Sequence, residues 1–127
     1  MSKYLLDSDI IIWCLRGEKR SIDLVRKIQD ERVPACCALS VIEIMLGAKK
    51  SEEKVTGAFL DALYVYAVDK GIASLAAKYI RDYKSKGQTL DFVDASIAAT
   101  CSINKLVLVT YNVKHFPMPE LKIYQDA

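Results

Sequence analysis

Short apolar runs alternate with longer amphipathic segments along most of this sequence. The runs are rich in β-branched and aliphatic residues, which is typical of buried strands. The apolar positions of the longer segments repeat every three or four residues, the spacing of one helix face. The apolar runs predict strands at 4–6, 33–39, 64–68 and 106–109, with a short fifth strand at 121–124. The amphipathic segments predict helices at 9–15, 21–30, 40–48, 52–63, 69–84 and 91–103.

The alternation of strands with helices indicates an α/β fold. Strands connected through helices pair in parallel, and the helices cover both faces of the sheet. We therefore predict a three-layer α/β/α architecture with a central parallel sheet of about four to five strands. Because the chain has 127 residues and no linker or repeat, we expect a single domain over residues 1–127.

Composition is that of an ordinary globular protein: 52% of the residues are hydrophobic and 27% are charged, which excludes disorder. The formal net charge of +2 is too small to argue for nucleic-acid binding. No uncharged apolar stretch approaches the ~20 residues of a membrane span, so no membrane association is expected. The four cysteines lack metal-ligand spacing and lie in apolar segments, which predicts reduced core thiols and a cytoplasmic location.

Two carboxylates directly follow the first predicted strand. Asp7 comes after Leu6, and Asp9 lies at the turn into the next helix. Open parallel sheets bind ligands at the carboxyl edge of their strands. Two acids there are costly unless a positive group lies between them, most simply a divalent cation. The alternative is that Asp9 caps the helix while Asp7 accepts backbone N–H bonds.

Glu43 has two competing explanations. It follows Ser40 by three residues, the spacing of a capping box at the start of a helix, and this explains it completely. However, the helix at 40–48 is apolar nearly all round, which predicts a buried helix. Glu43 would then point into a crevice or lie sealed in the core.

Asp94 is a carboxylate on an apolar helix face. Its neighbours at helical spacing are Ile97, Ala98 and Cys101, so its charge needs a partner. The alternative explanation is a helix start in which Asp91 is the N-cap and Asp94 belongs to the first turn.

A polar segment leaves the strand at 106–109 at the same predicted sheet edge. Thr110 and Asn112 can hydrogen-bond a metal-bound water or a phosphate oxygen, although Asn is equally common in ordinary turns. The only histidine, His115, follows shortly after; a lone histidine is usually not a ligand.

Asp7, Asp9, Glu43 and Asp94 together form an all-oxygen donor set for a hard cation, Mg²⁺ or Mn²⁺, whereas Zn²⁺ would require His or Cys. Such a site polarises a phosphoryl oxygen and activates a water for in-line attack. No Ser–His or Cys–His pair and no P-loop competes with this interpretation.

The ordered motifs resemble those of the PIN-domain ribonucleases, and most of all the VapC-type toxins of bacterial and archaeal toxin–antitoxin pairs. The similarity extends from Asp7 to Phe116. The motifs that carry it are Leu6-Asp7-Ser8-Asp9, Ser40-Val41-Ile42-Glu43 with Leu46-Gly47, Asp94-Ala95-x-Ile97-Ala98-Ala99-Thr100, and Val109-Thr110-x-Asn112-Val113-Lys114-x-Phe116.

This resemblance implies a PIN-like fold and a Mg²⁺- or Mn²⁺-dependent endoribonuclease, usually a homodimer, that acts on RNA and is held inactive by a cognate antitoxin. It implies that Asp7, Glu43 and Asp94 are the catalytic metal ligands and that Asn112 occupies a fourth ligand position. Thr110 and Ser40 match supporting positions.

The sequence departs from the family pattern at the fourth ligand. Many members have an acid at the position of Asn112, or an aspartate at the position of His115. Asp9 stands where Asn or Ser is more frequent, and it could compensate for the missing charge.

Two other functions fit parts of the pattern. An aspartyl-phosphate phosphatase also places paired aspartates after a first strand, but the usual Gly-Thr is absent and Glu43 would have no role. A catalytically silent domain that only binds a partner protein would explain the missing fourth acid. Arg16, Lys49 and Lys114 flank the site and could hold RNA phosphates, although charged helix ends are normally just solvated.

Overall fold

The computed structural model describes residues 2–125. Its strands are β1 (Tyr4–Leu6), β2 (Ala35–Cys37), β3 (Tyr64–Tyr66), β4 (Val107–Val109) and β5 (Lys122–Ile123). Its helices are α1 (Ser8–Leu15), α2 (Lys19–Glu31), α3 (Ala38–Gly47), α4 (Glu53–Asp61), α5 (Lys70–Lys84) and α6 (Phe92–Asn104). Single turns of 3-10 helix lie at Lys50–Glu52 and Val113–His115.

The five strands form one sheet in the order β3-β2-β1-β4-β5, and every neighbouring pair is parallel. β1 is therefore central. Leu5 is in register with Ala35 of β2 on one side and with Leu108 of β4 on the other. All carboxyl ends point the same way, so the residues after β1, β2 and β4 meet at one edge. The predicted parallel α/β sheet is confirmed.

Alternate residues of the strands supply two separate cores, one on each face of the sheet. Leu5 and Leu108 pack with α5 and α6, whereas Leu6 and Val109 pack with helices α1 to α4. Adjacent Cys36 and Cys37 are divided between the two cores in the same way, because successive strand side chains point to opposite faces. This confirms the predicted three-layer arrangement.

The boundary between β2 and α3 lies two residues before the predicted one. Cys37 ends the strand in an extended conformation and is itself the N-cap of α3, without a side-chain cap hydrogen bond. Ser40 consequently lies inside the first turn, and it is fully buried. The predicted capping box of Ser40 and Glu43 is therefore wrong.

The prediction that α3 is buried on nearly all sides is also wrong. Only Ser40 and Ile44 of this helix are buried. Ile42, Met45 and Leu46 are 55%, 45% and 82% exposed. The helix lies at the margin of the molecule, where one face packs on the core and the apolar remainder is uncovered.

The four cysteines, Cys14, Cys36, Cys37 and Cys101, are free and buried, as predicted. Burial raises the pKa of the Cys36 thiol to about 12 and that of Cys14 to about 11, so both are neutral packing groups. Within residues 2–125, no helix combines the length and apolar character of a bilayer span.

Candidate active site

Asp7 lies at the carboxyl end of the central strand and is 5% exposed. Its backbone N–H donates to Val109 O at 2.9 Å, which continues the ladder past the end of β1. Asp7 is the N-cap of α1, and its Oδ1 accepts from the Ser8 N–H at 2.7 Å. Its Oδ2 accepts from the Thr110 hydroxyl, also at 2.7 Å. Both oxygens are therefore held by groups at the same sheet edge.

Asp9 lies in the first turn of α1 and does not cap it. Its Oδ1 accepts from the Ile10 N–H at 2.7 Å. Its Oδ2 accepts from the Tyr111 N–H at 3.0 Å and from Asn112 Nδ2 at 3.1 Å. The alternative in which Asp9 is the helix cap is wrong, since Asp7 has that place. Asp9 instead ties α1 to the loop after β4.

Glu43 is an exposed carboxylate that reaches α1 through a serine. Its Oε1 lies 2.7 Å from Ser8 Oγ, which in turn lies 2.9 Å from Ser40 Oγ. A carboxylate only accepts hydrogen bonds, so the Ser8 hydroxyl donates to Glu43. Ser40 thus supports Ser8 from within α3, and Ser8 holds Glu43 beside the start of α1.

Asp94 stands in the first turn of α6, where Asp91 is the N-cap. The Asp91 side chain accepts from the N–H groups of Val93 at 3.0 Å and Asp94 at 3.3 Å. The carboxylate of Asp94 is partly buried, with 20% of the side chain exposed, and its Oδ2 lies 3.3 Å from His115 Nδ1. The cap therefore explains Asp91, while Asp94 faces the loop that contains His115.

The pKa values of the three aspartates are raised, because burial disfavours their charged forms and the acids repel one another. Burial raises the pKa of Asp7 to about 7, and the charges of Asp9 and Asp94 add to the rise. Burial likewise raises the pKa of Asp9. The pKa of Asp94 is raised by burial first and then by Asp91, with Glu43 and Asp9 contributing further.

The chemistry of these donors fits a hard divalent cation, since they are oxygen groups whose uncompensated negative charge opposes ionisation. Within residues 2–125, no three acidic, histidine or cysteine side chains stand close enough to ligate one ion together. The acids lie around the carboxyl edge of the sheet but do not converge on a single position.

The PIN domain family model matches residues 4–117 of this chain. Ribonuclease VapC19 of Mycobacterium tuberculosis is 34% identical over 120 residues, which cover 93% of this chain and 96% of that protein. The chain belongs to the PIN domain family.

Solved structures of toxin–antitoxin complexes have the same fold as this PIN-domain chain. The DNA-bound VapBC complex from Salmonella typhimurium aligns with a TM-score of 0.86 and 23% identity, covering 98% of both chains. A toxin–antitoxin complex from Klebsiella pneumoniae aligns with a TM-score of 0.80 and 26% identity, covering 94% of this chain and 95% of that one.

The basic residues named from the sequence are dispersed. Arg16 ends α1 as its C-cap, Lys49 precedes the 3-10 turn before α4, and Lys114 lies in the turn that also contains His115. All three are exposed. Arg16 also lines a groove of about 350 Å³ between α1, α3 and α4, in which Glu43 takes part.

Sequence reasoning missed two residues of this PIN-domain site. The first is Ser8, which holds Glu43. Its position between two acids at the strand–helix junction is the sequence feature that could have identified it. Tyr111 was the unassigned residue between Thr110 and Asn112, and its N–H bond to Asp9 follows from a backbone path that no side-chain pattern reveals.

Proposed function

We propose that this protein cleaves RNA with a divalent cation, Mg²⁺ or Mn²⁺, held at the edge formed by Asp7, Asp9 and Asp94. As a PIN-domain protein of the VapC kind, it is an endoribonuclease of the toxin–antitoxin type. The observation that carries the metal proposal is the grouping of Asp7, Asp9 and Asp94 at one sheet edge, where burial first and then the charges of Asp9 and Asp94 raise the pKa of Asp7 to about 7.

We assign Asp7, Glu43 and Asp94 as the catalytic metal ligands, with Asp9 and Asn112 completing the donor set. Within residues 2–125 no three of the acids lie close enough to bind one ion directly, so part of this set would act through cation-bound water. A bound divalent cation would neutralise phosphoryl charge and generate a hydroxide-like nucleophile. Thr110 orients Asp7 through its 2.7 Å hydrogen bond, and Ser40 acts through Ser8 on Glu43. The sites of attachment for RNA phosphates include Arg16, Lys49 and Lys114.

Cleavage of a labelled RNA by the purified chain tests this proposal. We expect activity with Mn²⁺ or Mg²⁺, none with EDTA, and loss of cleavage and of calorimetric Mn²⁺ binding in Asp94→Asn. The exposed Asp61 of α4 provides the control, since Asp61→Asn makes the same chemical change away from the edge. A folded Asp94→Asn variant that cuts at the wild-type rate would refute the assignment, as would one that binds Mn²⁺ normally.

A domain that only binds a partner is the second candidate function. It is favoured by the fourth ligand position, where the chain has Asn112 and His115 and no acid. It predicts no RNA cleavage at any Mn²⁺ concentration. The phosphatase alternative has no support in the family match.

We propose an antitoxin as the protein partner, covering the exposed apolar side chains of α3. The groove beside them is lined by Ile12, Leu15 and Val55. Its charged lining residues are Arg16, Glu43 and Glu52, so it offers apolar contact together with charges of both signs. Exposed apolar patches of this kind mark interaction sites.

Because the four cysteines of this chain are free thiols, we place the complex in the cytoplasm.

Co-purification with the protein encoded by the adjacent gene tests this partner. Leu46→Asp should abolish the complex, whereas Val33→Asp should not, because Val33 is also exposed but lies before β2 at the opposite edge of the sheet. Light scattering of the chain alone tests separately the homodimer that the family resemblance implies. Equal partner binding by both variants would reject α3 as the interface.

A further inference from the structure

We propose that two arginine–aromatic pairs beside the acidic edge bind unpaired nucleotides of the RNA. The pairs are Arg16 with Trp13 and Arg20 with Tyr111, and we refer to these four residues as the arginine–aromatic strip. The inference rests on the ribonuclease function proposed above and adds the residues that hold the RNA beside the acidic edge.

The first pair lies along the same side of α1 as Asp9. Trp13 and Arg16 follow Asp9 by four and seven positions, a spacing that places all three on one helix face. The Arg16 guanidinium carbon is 5.3 Å from the centroid of the Trp13 ring, and the indole is 40% exposed. An aromatic surface therefore begins one turn from a carboxylate of the candidate site.

The second pair is attached to the site through the backbone. Tyr111 donates its N–H to Asp9 Oδ2 at 3.0 Å, and its hydroxyl lies 2.7 Å from Ser21 Oγ of α2. Its ring is thus fixed at both ends. The Arg20 guanidinium carbon lies 4.5 Å from the ring centroid, so an exposed cation lies over a ring whose position is fixed.

Neither arginine forms an ion pair with a carboxylate in the part of the chain that the structure describes, in contrast to Lys3, Lys19 and Lys78. Their N–H groups remain available for phosphate oxygens, for which the guanidinium fork is suited. This charge is needed here, because the acidic edge repels a polyanion and cations beside it offset that repulsion.

Stacking chemistry indicates which RNA the strip selects. Unpaired bases stack on aromatic rings and on guanidinium planes, whereas the bases of a duplex are already stacked on one another. The strip therefore favours single-stranded segments such as loops and ends over double-stranded RNA.

Trp13 is the only tryptophan of the chain, so its fluorescence reports directly on the strip. We expect a short oligoadenylate, added in EDTA to prevent cleavage, to quench this fluorescence. A duplex RNA of equal length should quench it less at the same concentration. Anisotropy of a labelled oligoadenylate shows when binding is saturated. Unchanged Trp13 fluorescence at that point would overturn the proposal, and so would equal quenching by the duplex.

Substitutions separate stacking from general charge. Arg16→Ala and Arg20→Ala should each weaken oligoadenylate binding by about 2- to 30-fold, because each removes a guanidinium plane and a positive charge from the strip. Arg20→Lys keeps the positive charge but loses the planar surface. On a logarithmic scale of the dissociation constant, this variant should recover less than half of the affinity that Arg20→Ala loses. Arg26→Ala is the matched control. Arg26 is an exposed arginine of α2, the helix that contains Arg20, and it is not paired with an aromatic ring among residues 2–125.

If the Arg16→Ala and Arg20→Ala variants bind as tightly as Arg26→Ala, the strip does not bind RNA. Quenching of Trp13 by the antitoxin but not by RNA would assign the strip to the protein interface and also overturn the proposal. Cleavage by the wild-type protein is measured in parallel. If the wild type cleaves RNA but the two arginine variants bind oligoadenylate normally, only the role of the strip is rejected. If the wild type does not cleave with any divalent cation, the nuclease function is rejected.

Discussion

Thr110 donates its hydroxyl hydrogen to Asp7 Oδ2 at 2.7 Å, joining two residues that are 103 positions apart in the chain. The contact follows from strand register, because Leu6 and Val109 are paired in the parallel ladder and the next residue of each strand emerges beside the other. Thr110 also accepts from the Asn112 N–H at 2.9 Å. The pairing of the two central strands therefore places Asp7 beside Thr110.

The burial of Asp7 predicts a stability that depends on pH when no divalent cation is present. Its pKa is about 7 in the folded protein against 3.8 for the free group, so folding favours the protonated form. The free energy of unfolding should fall as the pH rises from about 4 to about 7, by roughly 4 kcal/mol at most. Chemical denaturation at a series of pH values in EDTA measures this.

Asp7→Asn should remove most of that pH dependence, leave the protein more stable than wild type at neutral pH, and abolish cleavage. Asp61→Asn on α4 should keep the wild-type profile. Parallel pH profiles for Asp7→Asn and wild type would show that the Asp7 charge is already compensated in the fold.

Cation affinity should depend on pH over the same range, with the opposite sense. A cation requires ionised Asp7, so the association constant for Mn²⁺ should decrease by up to about tenfold per pH unit below about 7. Cleavage should decrease with it, and added Mn²⁺ should recover part of the loss. Calorimetric titrations at several pH values test this expectation. A Mn²⁺ association constant that stays the same from about pH 5 to about pH 7 would contradict a carboxylate site centred on Asp7.

Ser8→Ala should impair the enzyme through Glu43. Removal of the hydroxyl leaves the exposed Glu43 carboxylate without the 2.7 Å contact that holds it near α1. Because supporting residues of metal sites typically contribute about 10–100-fold to affinity or activity, we expect the Mn²⁺ concentration for half-maximal cleavage to rise by about tenfold.

Ser8→Thr retains the hydroxyl and should behave closer to wild type, while Ser85→Ala at the end of α5 should have no effect. If Ser8→Ala changes only the maximal rate and not the metal requirement, Glu43 does not act on the cation.

The amide and imidazole side chains at the fourth ligand position, Asn112 and His115, predict a preference for Mn²⁺ over Mg²⁺. His115 Nδ1 lies 3.3 Å from Asp94 Oδ2, so an aspartate at position 115 would place a second carboxylate within reach of the same site. His115→Asp should tighten Mg²⁺ binding and lower the Mg²⁺ needed for cleavage.

Asn112→Asp should have the same effect on Mg²⁺ but a different effect on the cation-free protein. In the wild-type protein the Asn112 amide donates to Asp9 Oδ2 at 3.1 Å, and a carboxylate at this position would repel Asp9. Thermal unfolding in EDTA should therefore show a lower midpoint for Asn112→Asp than for wild type, with recovery on adding Mg²⁺. No change in Mg²⁺ affinity for either variant would mean that the loop lies outside the cation site.

The identity of the fold was available from local patterns. The apolar run before Asp7 and the β-branched run at 106–109 are each long enough to identify a strand, and their alternation with helices dictates a parallel sheet. The acids Asp7 and Asp94 could be selected for the same reason, since a carboxylate at a strand end or on an apolar helix face conflicts with its surroundings.

The sequence by itself determined the parallel three-layer architecture, the four acids and the family resemblance, because these depend on residue type, spacing and periodicity. Only the tertiary structure decided the roles of Ser8 and Tyr111, the start of α3 at Ala38, and the exposure of its apolar side. Those features depend on which groups of distant segments meet, and a hydrogen bond such as that from Ser8 to Glu43 leaves no periodic trace in the chain. Burial likewise depends on which neighbouring elements cover a surface, so an apolar helix such as α3 is buried only where the fold supplies something to pack against it.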